Sequence, residues 1–149
     1  MAIRKKIIYD HNNDRFVGYC DFGGIQVECQ ETPATEALVF MLVCLNGKWK
    51  WPIGYFLQAK STASIQAGLV TTAITMAHSI GLRIWSVTCD GTSTNYSTMS
   101  LLGCKISSCY SEIVEYFLIP EIDQKIRYVP DSCHKLKISS KCFGHLQKV

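Results

Sequence analysis

Residues 37–57 read ALVFMLVCLNGKWKWPIGYFL, and this stretch decides the fold class. Residues 37–45 contain no polar side chain, which is typical of a strand covered on both faces of its sheet. Asn46 and Gly47 can supply the positive φ angles of a two-residue hairpin turn, so residues 49–57 are predicted to return antiparallel. Because Pro52 lacks the N–H that a ladder on both sides needs, the returning strand is expected at a sheet edge.

Further elements are predicted on either side of this hairpin. Residues 16–22 have the composition of a first strand, with Asp21 among apolar neighbours. After the hairpin, an apolar stripe at spacings of three and four predicts a helix that Gly81 ends; the stripe comprises Ile65, Leu69, Ala73, Met76 and Ile80. Residues 83–89 then return to the sheet as a fourth strand, and the helical crossover makes neighbouring strands parallel.

The rest of the chain is predicted to add two helices and one strand. Ser93 is expected to cap a short helix ending near Gly103, and residues 112–118 are expected to form another helix. Residues 125–129 have the composition of a fifth strand. These elements together indicate an α/β fold with a mixed sheet flanked by helices.

The composition fits a single globular domain over residues 1–149. Hydrophobic residues make up 48% of the chain and charged residues 18%, which excludes a disordered tail. The formal net charge of +3 does not by itself indicate a nucleic-acid partner. Basic residues cluster near both ends, where either a solvated surface or a nucleic-acid contact fits: Arg4, Lys5 and Lys6, then Lys135, Lys137, Lys141 and Lys148.

Nothing in the sequence predicts secretion or a membrane span. The first residues, MAIRKKIIYDHNN, contain no apolar run of signal-peptide length, so the eight cysteines are expected to be reduced thiols in cytosol or nucleus. Residues 61–82 carry no charge but include several Ser and Thr side chains, one Gln and one His. That polarity favours a helix inside a globular protein over a transmembrane helix.

Two aspartates are candidates for metal chemistry. Asp21 lies on the predicted first strand, and Asp90 follows the fourth. If these strands are neighbours, the two carboxylates approach within metal-bridging distance, and their repulsion favours a bound divalent cation. An aspartate after a strand is also a common turn former, so spacing alone leaves both interpretations open.

Five stretches in register carry a resemblance to a known family. They are MAIRKK at 1–6, FVGYCDFGG at 16–24, EALVFMLVCLNGKWKWPIGYFL at 36–57, SVTCDGTSTN at 86–95 with MSLLGCK after it, and VPDSCHKLK at 129–137. The chain resembles the ribonuclease H-like domain of P element transposases and their relatives that carry a THAP zinc finger. The resemblance implies a mixed five-stranded sheet ordered 3-2-1-4-5 and incomplete at the C-terminus.

The resemblance also implies a site. Asp21 in GYCDFGG and Asp90 in TCDG match the first two members of the family's acidic triad, whose implied role is Mg²⁺ or Mn²⁺ binding for DNA strand cleavage and joining. In the family, the third acid lies far downstream, after an inserted guanine-nucleotide-binding domain. A zinc finger precedes the ribonuclease H-like domain. The third acid, the inserted domain and the zinc finger are not expected in this chain. The resemblance therefore implies a nuclear transposase fragment that binds metal weakly and is inactive alone.

Transposon-end DNA is the partner that the resemblance implies, and a homo-oligomer is compatible with it. The alternative is a non-catalytic module that uses its basic ends to contact DNA or a transposase. Glu112 and Glu115 are the acids considered as substitutes for the third ligand, although a solvated helix face suits both. Asp131 and His134 match a family element that orients the site or the nucleic acid, or else they cap and follow a helix.

Cysteine and histidine near the C-terminus offer a rival chemistry. Cys133, His134, Cys142 and His145 could bind zinc, although their spacing matches no known finger type. Cys20, Cys44 and Cys89 fall on predicted strands and are expected to be small core residues.

Overall fold

The computed structural model describes residues 1–23, 31–107 and 109–133. The chain divides into two compact units, Met1–Ser61 and Thr62–Val149. The single domain over residues 1–149 therefore remains a prediction, and each unit is described by itself. Among the described residues, neither α-helix has the length and apolar character needed to cross a membrane.

The first unit contains two antiparallel hairpins. Strands β1 (Ile8–Asp10) and β2 (Arg15–Val17) form the shorter hairpin. Strands β3 (Glu36–Val43) and β4 (Lys50–Gln58) form the longer one, which confirms the predicted antiparallel pair.

The turn of the longer hairpin differs from the prediction. The Gly47 N–H donates to the Cys44 carbonyl at 2.8 Å and the Cys44 N–H donates to the Trp49 carbonyl at 3.0 Å, so the loop exceeds two residues. Gly47 has φ +71°, whereas Asn46 is not among the described residues with positive φ. Asn46 instead accepts the Lys48 N–H at 3.2 Å through its side chain. The predicted two-residue turn is therefore wrong.

Pro52 lies beside a β-bulge. The register pairs Phe40 with Gly54 and Met41 with Pro52, which leaves Ile53 as an extra residue on β4. A bulge interrupts the ladder locally, and this explains how a residue without an N–H fits inside a paired strand.

The predicted first strand is only partly regular. Arg15–Val17 pairs with β1, while the following residues form isolated bridges, Tyr19 with Pro33 and Asp21 with Leu57. Gly18, at φ +108°, separates the two parts. The partner of Asp21 thus lies on the predicted third strand and not on the second.

In the second unit, helix α1 (Ala63–Ser79) begins at the Thr62 N-cap, whose side chain accepts the Ile65 N–H. Gly81 has φ +82°, its N–H donates to the His78 carbonyl, and the Leu82 N–H donates to the Ala77 carbonyl. This Schellman motif confirms Gly81 as the C′ residue.

The buried face of α1 differs from the predicted stripe. It comprises Gln66, Leu69, Val70, Ile74 and Ala77. Met76 and Ile80, which belong to the predicted stripe, are 65% and 75% exposed. The stripe was misplaced because apolar and small residues surround this helix, so that several faces satisfy the same spacing.

Strand β5 (Ser86–Cys89) leads into helix α2 (Ser93–Leu102). The N-cap of α2 is Thr92, one residue before the predicted Ser93, and the Gly103 C-cap with φ +118° confirms the predicted end.

The second unit ends in a three-stranded sheet ordered β5-β7-β6, with β6 at Tyr116–Ile119 and β7 at Ile122–Pro130. The helix predicted over residues 112–118 is wrong, because only a short 3-10 turn at Tyr110–Glu112 precedes β6. Pairing with β7 selects the strand, since it buries Phe117 and Ile119 on one face. The predicted fifth strand is confirmed as β7, parallel to β5.

The described strands form three small sheets, so the five-stranded order 3-2-1-4-5 is not confirmed. Two pairings contained in that order are present: the predicted second strand with the third, and the predicted fourth with the fifth.

Candidate functional site

Asp90 occupies the carboxyl end of β5, two residues before the Thr92 N-cap of α2. Its Oδ1 atom accepts the Asn95 side-chain amide at 2.6 Å and the Thr92 N–H at 3.2 Å. The same amide also lies 3.3 Å from the Asp90 carbonyl oxygen. No described residue donates a hydrogen bond to Oδ2, which leaves one oxygen of a half-buried carboxylate available to a ligand.

The local sequence explains this arrangement. Thr92 caps α2 by accepting the Asn95 N–H at 3.4 Å, and the helix start therefore brings Asn95 back toward the end of β5. A Cβ atom at Gly91 would lie 3.1 Å from the Tyr96 hydroxyl oxygen. Glycine at this position thus permits the close approach of the Tyr96 ring.

Asp21 is held by its backbone. Its N–H donates to the Leu57 carbonyl at 2.8 Å, and its carbonyl accepts the Leu57 N–H at 2.9 Å. The neighbouring Cys20 and Phe22 are buried, whereas Asp21 is exposed. Its Oδ1 accepts the Gly23 N–H at 2.9 Å, and no donor to Oδ2 occurs in the described ranges.

The donor chemistry of both aspartates fits a hard divalent cation, because carboxylate oxygens are the ligands that Mg²⁺ and Mn²⁺ prefer. Asp21 belongs to the first unit and Asp90 to the second. Within residues 1–23, 31–107 and 109–133, no group of three or more His, Cys, Asp or Glu side chains is placed to hold a metal ion.

Asp131 follows β7 as Asp90 follows β5. The register pairs Cys89 with Pro130, and the Asp131 N–H donates to the Cys89 carbonyl at 3.0 Å. The two aspartates therefore follow neighbouring parallel strands at equivalent positions. Sequence reasoning missed this relationship, although the strand-then-acid pattern in TCD and VPD was the available signal.

The remaining candidates have local roles or lie outside the described residues. Asp131 Oδ1 accepts the Cys133 N–H at 2.9 Å, as a capping aspartate does. Glu112 forms an exposed ion pair with Lys105 at 3.0 Å, and Glu115 is exposed. Of the proposed zinc ligands, Cys133 is exposed, while His134, Cys142 and His145 lie outside the described residues.

The thiol next to Asp90 belongs to Cys89, which is half-buried. Burial raises the pKa of the Cys89 thiol, and the neighbouring Asp90 carboxylate adds to this effect. Cys20 is buried, and Cys44 is half-buried, its Sγ donating to Asn46 Oδ1 at 2.9 Å. Cys20 is thus the small core residue predicted from its strand position, whereas Cys44 and Cys89 are only partly buried.

The N-terminal basic residues lie on an anchored segment. The Met1 amino group donates to the Ala37 carbonyl and the Ile3 N–H donates to the Thr35 carbonyl. Arg4, Lys5 and Lys6 are exposed, and in the described part of the chain none of them forms an ion pair. The basic cluster at residues 135–148 lies outside the described residues.

Comparison with known proteins gives the class to which this arrangement belongs. Residues 1–103, which include Asp21, Asp90 and Asn95, match the family of the TNP-like, RNase H N-terminal domain. The chain belongs to this family and is a ribonuclease H-like domain of the P element and THAP type of transposase.

Two individual proteins extend the comparison. The human DNA transposase THAP9 is 29% identical over 151 aligned residues, which cover 100% of this chain and 16% of that protein. The Drosophila P element transposase strand transfer complex superposes with a TM-score of 0.68 at 16% identity, covering 93% of this chain and 26% of that chain. At this identity the similarity to the P element transposase is one of fold. The chain spans only a minor part of the length of both proteins.

Proposed function

We propose that this chain supplies Asp21 and Asp90 as metal ligands of a cut-and-paste DNA transposase catalytic core. Membership of the RNase H N-terminal family supports the assignment, because the match includes both residues. The observation that carries it is the asymmetric carboxylate of Asp90, whose Oδ1 receives two hydrogen bonds while Oδ2 receives none from the described residues.

A divalent cation, Mg²⁺ or Mn²⁺, would stabilise the charge that develops on the attacking and leaving oxygens of a phosphoryl displacement. Asp90 would bind it through Oδ2, with its position set by β5 and the start of α2. Asp21 would contribute from a backbone tied to Leu57 on both sides. We expect weak binding, because two-metal sites usually draw three or more ligands from protein.

The proposed partner is DNA at transposon ends, in the nucleus. Arg4, Lys5 and Lys6 would contact phosphates, since they are exposed and lie on a segment anchored to the start of β3. The human relative THAP9 is a DNA transposase, and the similar Drosophila structure is a P element transposase strand transfer complex. A homo-oligomer belongs to the same proposal.

The test is Mn²⁺ titration and a plasmid-nicking assay on the 149-residue chain, with Asp21→Asn and Asp90→Asn as variants. We expect weak Mn²⁺ binding that each substitution reduces, and no nicking by any of the three proteins. Metal binding that neither substitution changes would refute the assignment. Nicking by the wild type that both substitutions abolish would show that the chain contains a complete site.

The second candidate function is a non-catalytic module that binds DNA or a transposase. The exposed cations at Arg4, Lys5 and Lys6 favour it, because phosphate contacts need no metal. DNA binding that survives both aspartate substitutions and removal of metal, together with no Mn²⁺ binding, would favour this alternative.

A further inference from the structure

We propose that Asn95 is a positioning residue for the Asp90 carboxylate: its amide holds Oδ1 so that Oδ2 is presented to the divalent cation. This inference rests on the proposed function, since it assigns a role toward the same metal. The contact that carries it is the 2.6 Å hydrogen bond from Asn95 Nδ2 to Asp90 Oδ1.

The amide of Asn95 is not needed to begin helix α2. The helix is capped when the Asn95 backbone N–H donates to the Thr92 hydroxyl, and this bond uses no side-chain atom of Asn95. The side chain instead turns back to Asp90, where it lies 2.6 Å from Oδ1 and 3.3 Å from the carbonyl oxygen. Hydrogen bonds to an ionised carboxylate are short and strong, so this contact restricts the rotation of the carboxylate.

A second aspartate in the chain shows what a turn-forming carboxylate looks like. In the turn after β1, Asp10 Oδ1 accepts the Asn12 N–H at 3.0 Å, and Asp10 Oδ2 accepts the Asn13 amide at 2.7 Å. The turn thus uses both oxygens. At Asp90 the same two kinds of donor converge on one oxygen. Two donors thus fix one oxygen of Asp90, while the other oxygen receives no hydrogen bond from the described residues.

Groups that orient metal ligands affect affinity without touching the metal. Losing such a group typically weakens metal binding by roughly ten- to a hundredfold. Asn95→Ala should therefore weaken binding at Asp90 by about that factor. Asn13→Ala is the matched control, because it removes the same kind of amide-to-carboxylate bond at Asp10, which has no proposed metal role.

The experiment uses Fe²⁺ as a probe of the site in the full 149-residue chain. With ascorbate and hydrogen peroxide, bound Fe²⁺ produces hydroxyl radicals that cut the backbone beside it, and mass spectrometry locates the cut. We expect cutting near Asp90 in the wild type and in Asn13→Ala at similar half-maximal Fe²⁺ concentrations. Asn95→Ala should require roughly ten- to a hundredfold more Fe²⁺.

The outcomes separate the two proposals. If Asp90→Asn abolishes cutting but Asn95→Ala stays within about twofold of wild type, against the roughly tenfold or greater loss expected, the role of Asn95 is refuted and the metal assignment stands. If the wild type is not cut near Asp90, the proposed function itself fails.

A second variant keeps the inference testable if Asn95→Ala does not fold. Asn95→Leu keeps a side chain of similar size but removes the amide, so Asp90 Oδ1 loses this hydrogen bond. Mn²⁺ should therefore raise the melting temperature of Asn95→Leu less than that of the wild type. Equal responses to Mn²⁺ would show that residue 95 does not act toward the metal.

Discussion

The Gln66 side-chain oxygen lies 3.2 Å from the Thr98 hydroxyl, and this buried pair joins α1 to α2. The same hydroxyl lies 2.8 Å from the Thr94 carbonyl and 3.4 Å from the Ala63 carbonyl, so its one proton is shared among three acceptors. Removing one partner of such a buried polar pair lowers the free energy of unfolding, because the remaining partner stays buried without its hydrogen bond.

Thr98→Val should therefore lower the free energy of unfolding by about 1–3 kcal/mol. The double variant Gln66→Leu/Thr98→Val should lose less than the sum of the two single losses, since neither polar group is then left unpaired. Urea unfolding of the four proteins measures this coupling, with Thr72→Val on the exposed side of α1 as the control. Additive losses would show that the pair contributes nothing specific.

The Gln66 pair also shows what the sequence of α1 could not reveal. Residues 61–82 carry no charge, so no side chain marks a solvent face, and the predicted stripe included the exposed Met76 and Ile80. Gln66 is not part of the predicted stripe, yet it is buried because Thr98 on another helix supplies its partner. Contacts between elements decided this point, and local periodicity does not encode them.

Strand predictions succeeded where local pattern and pairing agreed. The apolar run before Asn46-Gly47 gave the β3–β4 hairpin, and the run after Gln124 gave β7. Residues 112–118 were predicted as helix because a short apolar run fits either state, and only pairing with β7 selects the strand at residues 116–119. Asp21 and Asp90 were identified as candidates from sequence, whereas the convergence of Thr92 and Asn95 on one oxygen required coordinates.

Gly18 should be far less tolerant of substitution than Gly47. A Cβ at Gly18 would lie 2.1 Å from the Lys6 carbonyl oxygen, and φ is +108°, so Gly18→Ala adds a backbone clash to conformational strain. At Gly47, with φ +71°, a Cβ would meet nothing within 4 Å, so alanine should cost only about 1–2 kcal/mol of left-handed strain. Chemical denaturation compares the two variants; equal losses would contradict the close approach of residues 6 and 18.

Tyr128 should make stability depend on alkaline pH. The residue is only 5% exposed, and its hydroxyl oxygen is buried. Burial raises the pKa of this phenol above its ordinary value of about 10. The neutral form is therefore favoured in the folded state, and its contribution is full below about pH 10 and lost as the pH rises toward the folded pKa.

Tyr128→Phe removes this titration. The free energy of unfolding of this variant at pH 7 should match or exceed that of the wild type, because the variant buries no polar hydroxyl. Between about pH 10 and 11 the free energy of unfolding of Tyr128→Phe should fall less steeply with pH than that of the wild type. Urea unfolding across this range provides the measurement, and Tyr110→Phe, at a site that is 91% exposed, is the control. Parallel pH profiles for Tyr128→Phe and wild type would contradict the prediction.

The last prediction concerns the proposed DNA-binding surface. Arg4, Lys5 and Lys6 are exposed on a segment held by Met1 and Ile3, so they can meet phosphates without ordering a loose tail. Each phosphate contact releases counterions, so the plot of log binding constant against log salt concentration becomes steeper by about 0.9 per contact. Changing all three residues to Gln should therefore reduce the slope by roughly 2.7 and weaken binding to any DNA sequence.

The matched control changes Lys48, Lys50 and Lys60 to Gln, which alters the net charge equally at three other exposed positions. Fluorescence anisotropy across a salt series measures both slopes. Equal slopes for the two triple variants would mean that net charge alone attracts the DNA and that residues 4–6 form no specific contact.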